Sequence, residues 1–479
     1  MKAIISIGVT WAAIAGVLLA LQISDLECTN DDEECQNIIK GDDNIDDDQQ
    51  QTSYFSLPKD INKAISEYSE RLFVNSNYNQ DARLNTLQII RRHGYPAESH
   101  IVETEDGYLL GIHRIPHGRG QRQSDPSKRP VFLQHGVLTS SADWVMAGPN
   151  ISLGFLLADK GYDVWLGNIR GNTYSRGHIK YSTKQKRFWD FSFHEMGLYD
   201  LPAVIDFILL KTGQDCLSYI GHSMGTTMFY AMMSLRPEFN RKIAGQISLA
   251  PIAYVSRMTS IVRYLSPVSA ELEVLLKYFT NGEILSHTPL VNTALKLTCD
   301  PYIVHPGLCQ YFMGLLFGSD PLQMKKSVLS AFMGHNPAGV SFRVLVHYGQ
   351  LIKSRKFRQY DYGKVNSDRY NATEPPEYNI SAVSTKVALF YSTNDALSVE
   401  QDVKDFYPRL PNPIGLFRVN YSTFNHLDFI VAKDARPLLY EDLLDVLAAF
   451  DSGDTLDVTN RKSVIPERPE LIYEQYEHI

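Results

Sequence analysis

From about Asn85 onward the chain alternates between short apolar runs and stretches in which apolar residues recur at helical spacing. Val102 to Ile115 carries two such runs around Asp106-Gly107, the pattern of a β-hairpin. Residues 117–129 are polar, with Gly and Pro, and form a loop. Pro130-Val-Phe-Leu-Gln134 reads as a short buried strand ending at His135-Gly136, and Tyr162-Asp-Val-Trp-Leu166 as a second. Leu201 to Leu210 has helical spacing, Leu217-Ser-Tyr-Ile220 is strand-like, and Thr226 to Leu235 can be helical. Gln246-Ile-Ser-Leu-Ala250 and Lys386-Val-Ala-Leu-Phe-Tyr391 add two strands. Strands alternating with helices predict an α/β fold with a mostly parallel sheet, covered on both faces.

Residues 252–382 break the alternation. They are rich in Leu, Met, Phe and Tyr at irregular helical spacing, with several prolines, and are expected to form a helical insertion. The expected core is then 85–251 together with 383–450, and 452–479 form a polar C-terminal tail. No internal repeat is present.

The N-terminus has a different pattern. After Lys2, residues 4–23 are apolar and uncharged, which fits a secretory signal peptide over 1–24, although no clean A-x-A marks its cleavage. The rival is a signal anchor, since about 20 apolar residues can span a bilayer. In either case the body leaves the cytosol. No later segment is long and apolar enough to span. Residues 25–53 are acidic and poor in apolar side chains, so they are expected to stay disordered as a linker or pro-segment.

Composition narrows the classes. Of 479 residues, 44% are apolar and 21% charged, enough to bury a large core and unlike a disordered or collagen-like chain. Net charge is −8, but residues 25–50 hold eleven acidic residues against Lys40 alone, so the remainder carries +2. A chain without a basic face is not expected to bind nucleic acid. Sequons at Asn150, Asn371, Asn379 and Asn420 are glycosylation candidates in the secretory pathway. Five cysteines are too few for a stapled scaffold. In an oxidising compartment Cys299 and Cys309 could close one loop and Cys28 and Cys35 another, leaving Cys216 as a buried thiol. The expected location is extracellular, with the lysosome as the alternative. Oligomeric state is not legible.

The chemistry centres on Gly221-His-Ser-Met-Gly225, the only G-x-S-x-G in the chain. It lies between a predicted strand and a predicted helix, the setting of a nucleophile elbow. A serine hydroxyl is a weak nucleophile and needs a base. In this type of fold the order is Ser, acid, His. Of the later histidines, His287, His305, His335 and His347 fall in the insertion and His478 in the tail, which leaves His426. Asp395 directly follows a strand and is preferred as the acid over Asp402 and Asp405, which sit in a predicted helix. Asp428 is read as a satisfied structural residue. The expected set is Ser223 as nucleophile, His426 as general base and acid, and Asp395 orienting it. The negative oxygen of a tetrahedral intermediate needs preplaced donors. These are expected from the backbone N–H groups of Met224 and Val137, with His135 shaping the loop. No C-x-x-C, H-E-x-x-H or P-loop is present, so no metal or cofactor is expected.

At this point the chain resembles the acid lipase family of gastric and lysosomal lipases and related insect lipases, within the α/β-hydrolase superfamily. The resemblance rests on Gly94-Tyr-Pro-Ala-Glu, Thr104-Glu-Asp-Gly-Tyr, Leu133-Gln-His-Gly-Val-Leu, Gly161-Tyr-Asp-Val-Trp-Leu-Gly-Asn, Arg170-Gly-Asn-Thr-Tyr, Tyr199-Asp-Leu-Pro-Ala, Gly221-His-Ser-Met-Gly-Thr-Thr, His335-Asn-Pro-Ala-Gly and Asn425-His-Leu-Asp-Phe. It implies an α/β-hydrolase core with a helical cap and lid over 252–382. Carried over by position, it implies Ser223, Asp395 and His426 as the triad, Val137 and Met224 as oxyanion donors, and Cys299–Cys309 as the cap disulfide. Mammalian members usually have Gln where Met224 stands and Leu where Val137 stands; both positions act through the backbone.

The expected function is hydrolysis of neutral-lipid esters, triacylglycerol or sterol ester, at a lipid–water interface. Alternatives are a small-ester esterase or acyltransferase on the same core, and a non-catalytic lipid-binding relative.

Overall fold

A computed structural model describes residues 79–265, 280–286, 299 and 306–453. The expected signal peptide, the acidic segment and nearly all of the C-terminal tail lie outside the described residues, as do Cys28, Cys35, His287, His305 and His478.

Nine strands form one sheet. They are β1 (Glu98–Glu103), β2 (Tyr108–Ile115), β3 (Val131–Gln134), β4 (Val164–Leu166), β5 (Gly177–His178), β6 (Leu217–His222), β7 (Ile243–Leu249), β10 (Val387–Tyr391) and β11 (Pro413–Arg418). The order is β1-β2-β4-β3-β6-β7-β10-β11, with β5 paired to β2. The β1–β2 pair is the antiparallel hairpin expected around Asp106-Gly107. From β4 to β11 every pairing is parallel. The sequence reading missed β11. Its Pro and Gly depress strand propensity, and as an edge strand it is only half buried, so no continuous apolar run marks it.

Alternation along the strands sends side chains into two cores. Phe132, Leu217, Tyr219 and Leu389 pack on one face against α3 (Leu201–Thr212) and α4 (Met224–Leu235). Val131, Leu133, Ile220, Ile247 and Phe390 pack on the other. That second face is covered by α1 (Thr86–Arg92), α2 (Leu153–Asp159) and α10 (Glu441–Ser452). Both faces are therefore dry, which explains why the parallel strands read as unbroken apolar runs.

Register brings four strand ends level. Gln134 of β3 pairs with Gly221 of β6, Leu249 of β7 with His222 of β6, and Phe390 of β10 with Leu249. The loops leaving these ends, at 135–139, 223, 250–252 and 392–396, converge at the carboxyl edge of the sheet, where ligands bind in open α/β sheets.

Between β7 and β10 the described residues include α5 (Pro306–Phe317), α6 (Lys326–His335) and α7 (Phe342–Ser354). A small two-stranded sheet joins β8 (Glu283–Ile284) to β9 (Val340–Ser341). Cys299 and Cys309 are disulfide-bonded. Cys216 is half-buried rather than buried, and the Arg129 Nε–H donates to its sulfur. After β10 come α8 (Glu400–Phe406) and the short α9 (Asp428–Val431). No helix among the described residues is long and apolar enough to cross a membrane.

Candidate active site

Ser223 stands at the turn between β6 and α4, with φ 53° and ψ −118°. A non-glycine residue there costs roughly 1–3 kcal/mol, and its neighbours must hold it. They do so on both sides. The Ser223 N–H donates to the Leu249 carbonyl of β7 at 3.0 Å, and its carbonyl accepts the Thr226 N–H and hydroxyl at 2.9 and 2.7 Å. The flanking Gly225 is required by space, because a Cβ there would lie 2.4 Å from the Gln134 carbonyl of β3. The helix therefore begins at Met224, two residues before the apolar pattern suggested.

The three side chains selected from sequence meet. His426 Nε2 lies 2.8 Å from Ser223 Oγ, and His426 Nδ1 lies 2.8 Å from Asp395 Oδ2. Asp395 Oδ1 accepts the N–H groups of Leu397 and Ser398 at 2.8 and 2.7 Å, which fixes the carboxylate plane. All three residues are buried. The carboxylate on Nδ1 favours the tautomer with its proton there, leaving Nε2 to accept from the serine hydroxyl.

The other candidates are engaged elsewhere. His335 Nε2 pairs with the Asp81 carbonyl, and His347 with the Ser192 hydroxyl and the Arg358 carbonyl. Asp402 and Asp405 both bind Arg257. Asp428, read as structural, is buried; its Oδ2 accepts the Asn425 N–H at 2.8 Å, and among the described residues no N–H or hydroxyl group donates to its Oδ1.

The loop after β3 runs beside the serine. A Cβ on Gly136 would stand 3.2 Å from Ser223 Cβ. Among the described residues, neither the Val137 nor the Met224 backbone N–H donates to a protein group. His135 shapes this loop. Its Nδ1–H donates to the Gly136 carbonyl at 2.7 Å, and its Nε2 accepts from Asn172 Nδ2 at 3.2 Å. Burial pushes its pKa down to about 4, so it stays neutral and is unsuited to serve as a second base.

Sequence reasoning missed two kinds of contributor. His222 donates from Nε2 to the His426 carbonyl at 3.0 Å, and burial holds its pKa well below the usual range. The signal was available, because His222 precedes the nucleophile. The second kind is backbone. The Phe317 carbonyl of α5 accepts the N–H of His426 at 3.1 Å and of Ala396 at 3.3 Å. No side-chain pattern announces such a contact. No metal-binding cluster of His, Cys, Asp and Glu occurs among the described residues.

Two family models match the chain: a partial alpha/beta-hydrolase lipase region over residues 86–148, and the alpha/beta hydrolase fold over residues 129–272. Gastric triacylglycerol lipase of Rattus norvegicus is 40% identical over 372 residues, covering 77% of this chain and 93% of the relative. Lipase 1 of Drosophila melanogaster is 39% identical, covering 79% and 82%. Lipase member K of Homo sapiens is 38% identical, covering 78% and 93%. With a serine elbow on a doubly covered parallel sheet and relatives matched over most of their length, the chain belongs to the acid lipase family of the α/β-hydrolase fold and is a lipase, a carboxylic ester hydrolase.

Proposed function

We propose that the protein hydrolyses long-chain neutral-lipid esters, triacylglycerol and sterol ester, through Ser223, His426 and Asp395. The observation that carries this reading is the unbroken hydrogen-bond chain from Ser223 Oγ through the His426 ring to Asp395, mounted on a strained elbow. The Ser223 oxygen attacks the ester carbonyl while His426 Nε2 takes its proton. The carbonyl oxygen becomes negative and is met by the Val137 and Met224 N–H groups, beside the positive end of α4. His426 then returns the proton to the leaving alcohol, and the acyl group stays on Ser223. Water, deprotonated by the same imidazole, releases the fatty acid. Asp395 stabilises the imidazolium at each step.

Action outside the cytosol is part of the same reading. The Cys299–Cys309 disulfide fits an oxidising compartment. Asn150, Asn371, Asn379 and Asn420 are all exposed, as glycan acceptors must be. The lysosome and the extracellular space both meet these conditions.

The test is fatty-acid release from emulsified triolein and cholesteryl oleate across pH 4–8, comparing the glycosylated protein with Ser223→Ala. Release that falls about 10⁶-fold in the variant is the expected result. Equal release from both proteins, or release from short esters alone, would overturn it.

A further inference from the structure

Two carboxyl groups meet behind the proposed base. Asp428 opens α9, two residues after His426, and is 1% exposed. Its Oδ2 accepts the Asn425 N–H at 2.8 Å, and among the described residues no N–H or hydroxyl group donates to its Oδ1. It faces the carboxyl of Asp320, on the turn that leaves α5. Asp320 Oδ1 accepts the N–H of Leu322 at 2.9 Å and of Gln323 at 3.3 Å, and its Oδ2 accepts the Thr423 hydroxyl at 3.1 Å. Among the described residues, no Lys, Arg or His side chain pairs with either carboxyl. The other charge acting on Asp428 is the carboxylate of Asp395, on the acid loop. His222 and His426 form the imidazole pair on the serine side. Burial, and then the neighbouring Asp320, push the Asp428 carboxyl up to about 9.

The turn carrying Asp320 also grips the loops of the triad. Besides the Phe317 carbonyl, which accepts from His426 and Ala396, the Gly318 carbonyl accepts from Asn425 Nδ2 at 3.0 Å. Asn394 Nδ2 donates to the Ser319 carbonyl at 3.0 Å and to the Thr423 carbonyl at 2.6 Å. Gly318 has φ +103°, and a Cβ there would stand 2.0 Å from the Asn394 carbonyl, so only glycine lets this turn approach so closely.

We infer that Asp320 and Asp428 are positioning residues, a carboxyl pair that shares one proton and locks the His426 loop onto the turn at 317–320. The inference rests on His426 being the base. Two ionised carboxyls that face each other repel, whereas one retained proton supplies a donor for the other carboxylate. The unpartnered Asp428 Oδ1 is where that donor belongs, since a buried polar atom is expected to have a partner. While the proton is held, the loop of the base stays fixed. When the last proton leaves, repulsion drives Asp428 and the adjoining His426 loop off the turn, and the imidazole loses register with Ser223.

The experiment is the pH dependence of kcat and KM on soluble p-nitrophenyl butyrate, for the full chain and for Asp428→Ala, Asp428→Asn, Asp320→Asn and His426→Ala. The parent should lose kcat reversibly as pH rises through about 9, with little change in KM. Asp428→Ala should lower kcat at least tenfold at neutral pH and leave KM within about twofold. Asp428→Asn should restore most of that loss, because its amide donates to Asp320. Both Asn variants abolish mutual repulsion and should move the alkaline limb upward by a unit or more. Where Asp428→Ala fails to fold, the two Asn profiles decide the matter. An unchanged alkaline limb in both Asn variants, or full kcat in a folded Asp428→Ala, would overturn the pairing. Activity retained in His426→Ala would instead overturn the assignment of the base.

Discussion

The backbone N–H of Ala338 donates to the carbonyl of Leu138 at 2.6 Å, joining the insertion to the loop beside Ser223. Leu138 sits at φ +63°, a left-handed conformation that an L-residue keeps only when its surroundings require it. Thr173 holds the same strand of contacts, its hydroxyl donating to the Ala338 carbonyl at 3.2 Å. These contacts tie down the backbone next to the Val137 N–H, and under the proposed mechanism a donor placed before substrate arrives stabilises a developing oxyanion without reorganisation.

Replacing Val137 by Pro removes that N–H, and kcat is expected to fall roughly 10²–10³-fold with KM little changed. Val137→Ala keeps the N–H and should lose far less. Steady-state kinetics on a soluble ester compare the two; equal losses would mean that the side chain, not the backbone, is what matters.

Asp395→Asn keeps the shape of the acid but offers the imidazole an amide. With the wrong tautomer favoured, kcat should fall by about 10⁴ while the fold survives. Circular dichroism and kinetics together check this. A variant with parental kcat would move the acid role to another residue.

Asp143 gives a pH signature in stability. It is buried on the short helix after the 135–139 loop, accepts from Asn336 Nδ2 at 3.2 Å, and is pushed up to about 7 by burial. A carboxyl with a raised folded pKa stabilises the fold fully below its unfolded value near 4. That contribution fades as pH rises from there through about 7. The loss across this window is up to about 4 kcal/mol. Asp143→Asn stays neutral, so its melting temperature should exceed the parent's at pH 8 by more than at pH 4. Parallel melting curves across pH would refute this.

Gly225→Ala drives a methyl group into the Gln134 and His135 carbonyls at the centre of the sheet. Overpacking of this kind costs about 1–3 kcal/mol. A lowered melting temperature should accompany a lowered kcat, because the shifted backbone carries Ser223. A variant melting like the parent would show that the elbow has slack.

The central strands were legible because burial on both faces writes itself into composition, as in Val131–Gln134 and Val387–Tyr391. The elbow was legible because its glycines answer to contact distances that no larger residue meets. Ser223, Asp395 and His426 could be picked out as candidates because a nucleophile, a base and its acid have distinctive chemistry and a fixed chain order in this fold, and the three side chains do meet. Pro413–Arg418 was invisible because an edge strand need not be apolar. The pairing of Asp428 with Asp320 was not legible, because sequence does not report what a buried carboxyl group faces. The grip of the insertion on the site was also hidden, since Phe317 and Ala338 act through backbone atoms that every residue possesses.

One carbonyl at the end of α5, that of Phe317, fastens both the histidine loop and the aspartate loop. Trimming the insertion to build a smaller enzyme would therefore remove the brace that holds the loops of the proposed base and acid. Engineering for a wider entrance is better aimed at side chains that line the approach, with residues 317–320 left whole. An insertion or deletion within residues 317–320 would pull the Phe317, Gly318 and Ser319 carbonyls away from the groups of His426, Asn425 and Asn394 that they hold.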